Sequence, residues 1–188
     1  SLMRAVGYPL SGNVGAGAGA VVGKLFGMNR AMKGGIGHAL VQVGPWQVGA
    51  MVACNAVGDV TDPVTGKVLA GARSADGTKL LNTQQALLAG QKAGKPMSGT
   101  NTTIGVVATN ATLNKAQAKR LAMSAHDGFA RSIRPAHTTL DGDTLFAMAT
   151  CAETAEPDML LLTVMAAEAT AQATVNAILF ANGVHTLK

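Results

Sequence analysis

The stretch Gly99-Thr100-Asn101-Thr102-Thr103-Ile104-Gly105-Val106-Val107-Ala108-Thr109-Asn110, followed further on by Asp141-Gly142-Asp143, decides how this chain is read. The polar cluster Thr100 to Thr103 runs straight into an apolar, β-branched run, which predicts a strand over 103–109 with a hydroxyl-rich entry. Gly94, Pro96 and Gly99 make 93–99 a pliant approach, where exposed backbone can be presented for cutting. Asp141 and Asp143 stand two positions apart, so an extended segment points both to one side. On the residues alone, plainer readings stand beside these. Thr102 can be a strand cap, and Asp141 to Asp143 can be an Asx turn, with Gly142 as its turn residue, opening a strand at Thr144.

Outward from this stretch, Trp46 to Asn55 alternates loosely and predicts a strand that ends at the polar cluster Asn55 to Asp59. A short strand over 67–72 follows the turn signal Asp62-Pro63-Val64-Thr65-Gly66, and 84–92 reads as a short helix. Leu121, Ala125, Gly128 and Phe129 recur at helical spacing behind an Asn114 cap, predicting a helix over 114–132. A strand follows over 144–150. Pro157 to Asn182 reads as a long helix whose apolar stripe is Leu161, Val164, Met165, Ala169, Gln172, Val175, Asn176 and Leu179, with Gly183 as its stop. Strands followed by long helices on one side imply an α+β layered fold. Residues 12–37, rich in Gly and punctuated by Lys24, Arg30 and Lys33, read as loops passing close over a core. A dinucleotide loop at Gly15-Ala16-Gly17-Ala18-Gly19 fits poorly, because no clear strand precedes it and no acidic residue follows about 20 positions on in a second strand.

A chain of 188 residues that is 48% hydrophobic and 13% charged can bury one core, and a single domain over 1–188 is expected. With 23 glycines and few aromatics, that core is built from Ala, Val, Leu and Met with close backbone approach. The net charge of +5 comes from scattered Lys and Arg not interleaved with aromatics, which argues against nucleic acid. No apolar run approaches the ~20 residues that span a bilayer and the start carries no signal pattern, so no membrane association and a cytoplasmic location are expected. Cys54 and Cys151 lie in apolar strand-like runs without metal-ligand spacing and read as buried thiols. His38, His126, His137 and His185 show no metal spacing either. Ser124, His126 and Asp127 sit one and two apart on a predicted helix and so cannot face one another as a triad, whereas His137, just ahead of the Asp pair, is placed to shape a site.

The two opening segments together resemble the family of autoprocessed N-terminal-nucleophile peptidases that includes the L-aminopeptidase/D-amidase-esterases, the β-peptidyl aminopeptidases and the nylon-oligomer endohydrolases. Asn101-Thr102-Thr103-Ile104 is similar to the motif cut in the threonine branch, between the Asn and the first Thr. Asp141-Gly142-Asp143 follows at the separation found in the nylon-oligomer enzymes. Gly12-Asn13-Val14-Gly15-Ala16-Gly17, Gly23-Lys24, Met32-Lys33-Gly34-Gly35-Ile36-Gly37, Asn55-Ala56-Val57-Gly58-Asp59 and Ile133-Arg134-Pro135-Ala136-His137-Thr138 extend the likeness over nearly the whole chain. The resemblance implies a four-layer αββα sandwich. It also places a segment of several strands, with an active-site tyrosine, ahead of the Gly-Asn-Val-Gly motif, so the fold is expected to be incomplete at its N-terminus.

The resemblance further implies a cut after Asn101, leaving 1–101 as the C-terminal portion of an α fragment and 102–188 as a β fragment. A threonine hydroxyl becomes a useful nucleophile when a base takes its proton, and the new α-amine at Thr102, with a pKa of about 7.7–8.0, supplies that base. In the family the acidic pair orients the nucleophile, here Asp141 and Asp143; an asparagine stabilises the oxyanion, here Asn55; and a lysine near the amine favours its neutral form, here Lys24. The implied activity is hydrolysis of amide bonds in small peptides or amino-acid amides, without metal or cofactor. A nylon-oligomer-type endo-amidase acting on linear amide oligomers is the alternative, and a non-catalytic, unprocessed structural homologue is the rival of another class. Pairing of the α and β fragments and a homo-oligomer, tetrameric or larger, complete the expectations, with apolar helix faces such as Leu161, Val164 and Met165 fully covered.

Overall fold

A computed structural model describes residues 10–94 and 101–181. Its elements in chain order are β1 (Val21–Val22), β2 (Met32–Lys33), β3 (Gly35–Val43), β4 (Trp46–Cys54), β5 (Asp59–Thr61), β6 (Val68–Ala70), α1 (Thr83–Leu88), β7 (Ile104–Ala111), α2 (Lys115–Ser132), β8 (Ile133–Arg134), β9 (Thr144–Glu153) and α3 (Met159–Leu179). The main sheet has the order β3-β4-β7-β9, antiparallel except for the parallel pair β7/β9, which α2 and β8 connect. Two small sheets, β1-β2 and β6-β5-β8, accompany it.

The predicted strands and helices are present with shifted ends. Asn82 caps α1 by accepting from Gln85 N, and left-handed Gly90 follows, so α1 stops well short of residue 92. Asn114 caps α2 in a reciprocal capping box with Gln117, as its place in the sequence suggested. Asp158 caps α3 through Leu161 N, which leaves Pro157 outside the helix. The difference of substance is β3. Residues 35–43, read in part as a Gly-rich loop, form a nine-residue strand in a tight hairpin with β4. Its glycines serve the helix layer: a Cβ on Gly37 would come within 2.2 Å of the Ala173 carbonyl oxygen and the Ala177 nitrogen of α3.

The same closeness rotates the buried stripe of α3 away from the expected one. Leu162, Met165, Ala166, Ala169, Ala173 and Ala177 face inward, while Val164 and Leu179 are exposed and Leu161 is half-buried. The small side chains let α3 lie almost on the backbone of β3, and α2 approaches α3 equally closely at Gly128, beneath the Ala167 carbonyl and Thr170. Of the large residues in the expected stripe, Met165 is buried as expected, while Val164 and Leu179 point away.

Helices α2 and α3 cover one side of the main sheet, where Val48, Ala50, Val52, Val107, Leu121, Phe129, Leu162 and Ile178 form the core. Leu40, Ile104, Val106, Phe146 and Met148 line the opposite side and are exposed. Among the described residues the architecture is therefore α+β, with helices on one face of a mixed sheet, and the second large sheet of the expected four-layer sandwich is not among them. Cys54 is buried, but Cys151 is exposed, contrary to expectation. Between Ala149 and Glu153 strand β9 bulges out of register with β7, and Cys151 sits in that bulge at φ 55°.

Candidate active site

Three strand ends meet at one edge of the main sheet. β4 finishes at Cys54 and delivers Asn55; β7 is entered through Asn101, Thr102 and Thr103; β9 is entered through Asp141, Gly142 and Asp143. Because β7 lies between β4 and β9, its entry is flanked by Asn55 on one side and by the acidic segment on the other. The pairs Ala53↔Ile104 and Ile104↔Thr144 set this register. The Asn55 N–H donates to Thr103 Oγ1 at 3.3 Å, and the Thr103 N–H donates to Asp143 Oδ1 at 2.9 Å. The parallel ladder continues past the strand proper, with Thr144 N–H donating to the Thr103 carbonyl and Gly142 N–H to the Asn101 carbonyl. Asn101 and Thr103 are buried, while Thr102 is half-buried with its side chain over the Cα of Gly142.

Lys24 reaches this edge from the glycine-rich loop after β1. Its Nζ donates to both the carbonyl and Oδ1 of Asn55 at 3.0 Å, and Val21 N–H also donates to that Oδ1. With its oxygen twice engaged, the Asn55 amide is oriented, and its Nδ2 is the end that presents protons. Only 4% of Lys24 is exposed. Burial lowers its pKa to about 8, against the opposing pull of the Asp141 and Asp143 carboxylates. Burial likewise pushes the Cys54 thiol up to about 12, so this neighbouring sulfur stays protonated at neutral pH.

The two aspartates divide their work. Asp141 Oδ2 accepts from the N–H and hydroxyl of Thr138, at 3.0 and 2.7 Å, and Oδ1 accepts from Val57 N–H at 3.3 Å. It holds a turn and ties that turn to the segment after Asn55, so the plainer reading describes its contacts well. Asp143 points to Thr103. Burial raises its pKa, opposed by the Thr103 N–H and reinforced by the charge of Asp141. The hydrogen bonds thus give the two carboxylates different partners, a division that the sequence left open.

His137 was expected to shape the site. It stands at φ 53°, and its Nε2 lies 3.0 Å from Nδ1 of His126, whose ring meets Phe129 edge-on. Sequence reasoning had no signal for this histidine pair, since α2 and the loop after β8 bring the two together only in the fold. An open cleft of about 550 Å³ adjoins it, lined by Gln84, Leu87, Leu88, Ile133, Arg134 and His137 among others. That cleft does not include Lys24, Asn55, Thr102 or Asp143. The Gly142 donor and the Val57 contact were also missed, because backbone N–H groups carry no side-chain signature.

Known proteins resemble this chain over most of its length. The profile of peptidase family S58 matches residues 3–188. An uncharacterized aminopeptidase of Mycobacterium leprae is 49% identical over 142 residues, covering 74% of this chain and 37% of the relative. A 6-aminohexanoate-oligomer endohydrolase of Kocuria is 33% identical over 142 residues, covering 74% of this chain and 39% of that enzyme. The structure of an L-aminopeptidase D-Ala-esterase/amidase of Ochrobactrum anthropi, described as a variant of the Ntn hydrolase fold, superposes with a TM-score of 0.62 at 24% identity, over 94% of this chain and 47% of that one. The chain thus spans less than half the length of these relatives. It belongs to peptidase family S58.

Proposed function

We propose that this S58 family chain is the catalytic-edge portion of a self-cleaving amide hydrolase, cut between Asn101 and Thr102, with Thr102 as its N-terminal nucleophile. One observation carries the reading. Thr102 stands at the entry to the central strand, in a segment flanked by the Lys24–Asn55 pair and by Asp143. After the cut, the Thr102 amine takes the proton of its own hydroxyl as the oxygen attacks a substrate carbonyl, and the Asn55 amide stabilises the oxyanion. The Lys24 charge nearby favours the neutral, proton-accepting form of that amine. Asp143 orients the entry segment through Thr103 and acts as the acid or base that passes the hydroxyl proton to the Thr102 nitrogen during the cut, and Asp141 holds the turn that presents Asp143.

The substrate class is small peptides or amino-acid amides, a reading supported by the relative described as an aminopeptidase. Linear amide oligomers are the second reading, favoured by the threonine nucleophile with Asp-Gly-Asp. The bare apolar side of the sheet, Leu40 to Met148, is the surface that the second sheet of an αββα sandwich would cover. The exposed side of α3, with Leu160, Val164 and Leu179, is the surface offered to a homo-oligomer.

Denaturing mass spectrometry of the whole protein tests the cut. Two fragments dividing at Asn101/Thr102 are expected, while one intact chain would return the molecule to an unprocessed homologue. Release of amino acid from peptide amides, compared with cleavage of aminohexanoate oligomers, then separates the two substrate readings.

A further inference from the structure

We propose that the backbone N–H of Gly142 is the oxyanion donor for self-cleavage, and that its bare Cα is the seat on which the Thr102 hydroxyl rests. The inference deepens the proposed function and depends on the cut lying after Asn101. The Gly142 N–H donates to the Asn101 carbonyl oxygen at 2.9 Å, and that carbonyl belongs to the bond to be broken. The donor is aimed by sheet register: Thr144 N–H holds the Thr103 carbonyl at 3.0 Å, and a step of two residues back along both strands puts Gly142 opposite Asn101. A ladder bond that elsewhere only joins strands here falls on a reacting atom.

The glycine itself has no backbone reason. Its φ is outside the left-handed region occupied by Gly12, Gly23 or Gly44, so a turn does not require it. A Cβ at 142 would instead lie 2.7 Å from Thr102 Oγ1 and 3.7 Å from Thr102 Cβ and Cγ2. Any side chain there displaces the hydroxyl that must reach the Asn101 carbon.

The step balances within the chain and one water. Thr102 Oγ1 bonds to the Asn101 carbonyl carbon, and the carbonyl π pair moves onto the oxygen held by Gly142. The pair then returns as the C–N bond to Thr102 breaks, and the hydroxyl proton ends on the Thr102 nitrogen. Water hydrolyses the resulting ester, giving the Asn101 carboxyl group and restoring the hydroxyl. The donor is already in place before charge develops, which is where such groups act most strongly. Asn55 is thereby left to the oxyanion of substrate turnover.

The test is a full-length protein assembled by ligation with glycolic acid at position 142, replacing one amide N–H by an ester oxygen, beside the matching hydroxy-acid analogue at Thr144. Maturation should slow about 100- to 1000-fold for the first and change only a few-fold for the second. Unchanged maturation with the ester at 142, or equal slowing by both esters, would overturn the proposal by making the bond merely structural. Gly142→Ala, with folding followed by circular dichroism, should retain helix content and mature slowly, and wild-type maturation would overturn the seat. If Thr102→Ala matures, the underlying cleavage reading fails instead, whatever the esters do.

Discussion

The Thr103 N–H holds Asp143 Oδ1 at 2.9 Å, while Asp143 Oδ2 is buried with no hydrogen-bond partner among the described residues. Buried acceptors are normally satisfied, and one that is not marks a point where the fold carries a cost for another purpose. Asp143→Asn keeps an acceptor for Thr103 but removes the carboxylate. Self-cleavage should fall by about 100- to 10,000-fold, the range associated with a lost acid or base, with the fold retained. A gel time course of newly synthesised protein measures it, and wild-type processing would remove Asp143 from the chemistry.

Thr102→Ala should remain one inactive chain, since the attacking oxygen is gone. Thr103→Ala should still mature, because its hydroxyl accepts the Asn55 N–H at a long 3.3 Å and losing that bond costs about 1 kcal/mol. Edman sequencing of the smaller fragment checks the register, and any first residue other than Thr102 refutes it.

Asp141→Ala should act through stability. It strands two backbone N–H groups and the Thr138 hydroxyl, with a loss of about 2–4 kcal/mol in urea unfolding, whereas Asp141→Asn should recover part of it. Equal stability of wild type and the alanine variant would contradict the fastening role.

Lys24 links the site to pH. Its folded pKa of about 8 lies below the ordinary 10.5, so between these values the unfolded chain binds more protons. Stability should therefore rise as pH increases from about 8 to 10.5, and the cost of the buried charge is fully present below that window. Lys24→Met should lack this rise. Urea unfolding of both proteins across the window provides the comparison, and parallel curves would show that Lys24 titrates normally.

Gly37→Ala tests the packing of sheet on helix. The added methyl meets backbone atoms of Ala173 and Ala177 at 2.2 Å, and backbone cannot yield as a flexible side chain can. A loss of about 3 kcal/mol or more is expected, seen as a lowered thermal midpoint, and an unchanged midpoint would show that α3 shifts at little cost.

Much of the site was legible because it lies in two short polar segments, Asn101 to Thr103 and Asp141 to Asp143, that interrupt apolar runs. The strands 46–54 and 104–111 and the Asn114 cap were legible for the same reason: alternation and capping are local signals. β3 was hidden because Gly35 and Gly37 answer to α3, more than a hundred residues away, and no local pattern announces such a partner. The inward stripe of α3 was read in part: Met165 and Ala169 are buried as expected, but Ala166, Ala173 and Ala177 were passed over because small side chains carry little hydrophobic signal although they allow the tight contact. The division of labour between Asp141 and Asp143 rests on Thr138, Val57 and Thr103, which only the folded register assembles.

The ladder between β4 and β7 crosses the proposed cut, since β4 lies before Asn101 and β7 after it. Severing the peptide after the sheet has closed would convert a folding problem of one molecule into an association of two. The halves, once unfolded, would have to find each other by diffusion, at a rate set by their concentration. Maturation would then act as a one-way record of correct assembly: the protein could be made from a single chain, but could not readily be remade from its parts.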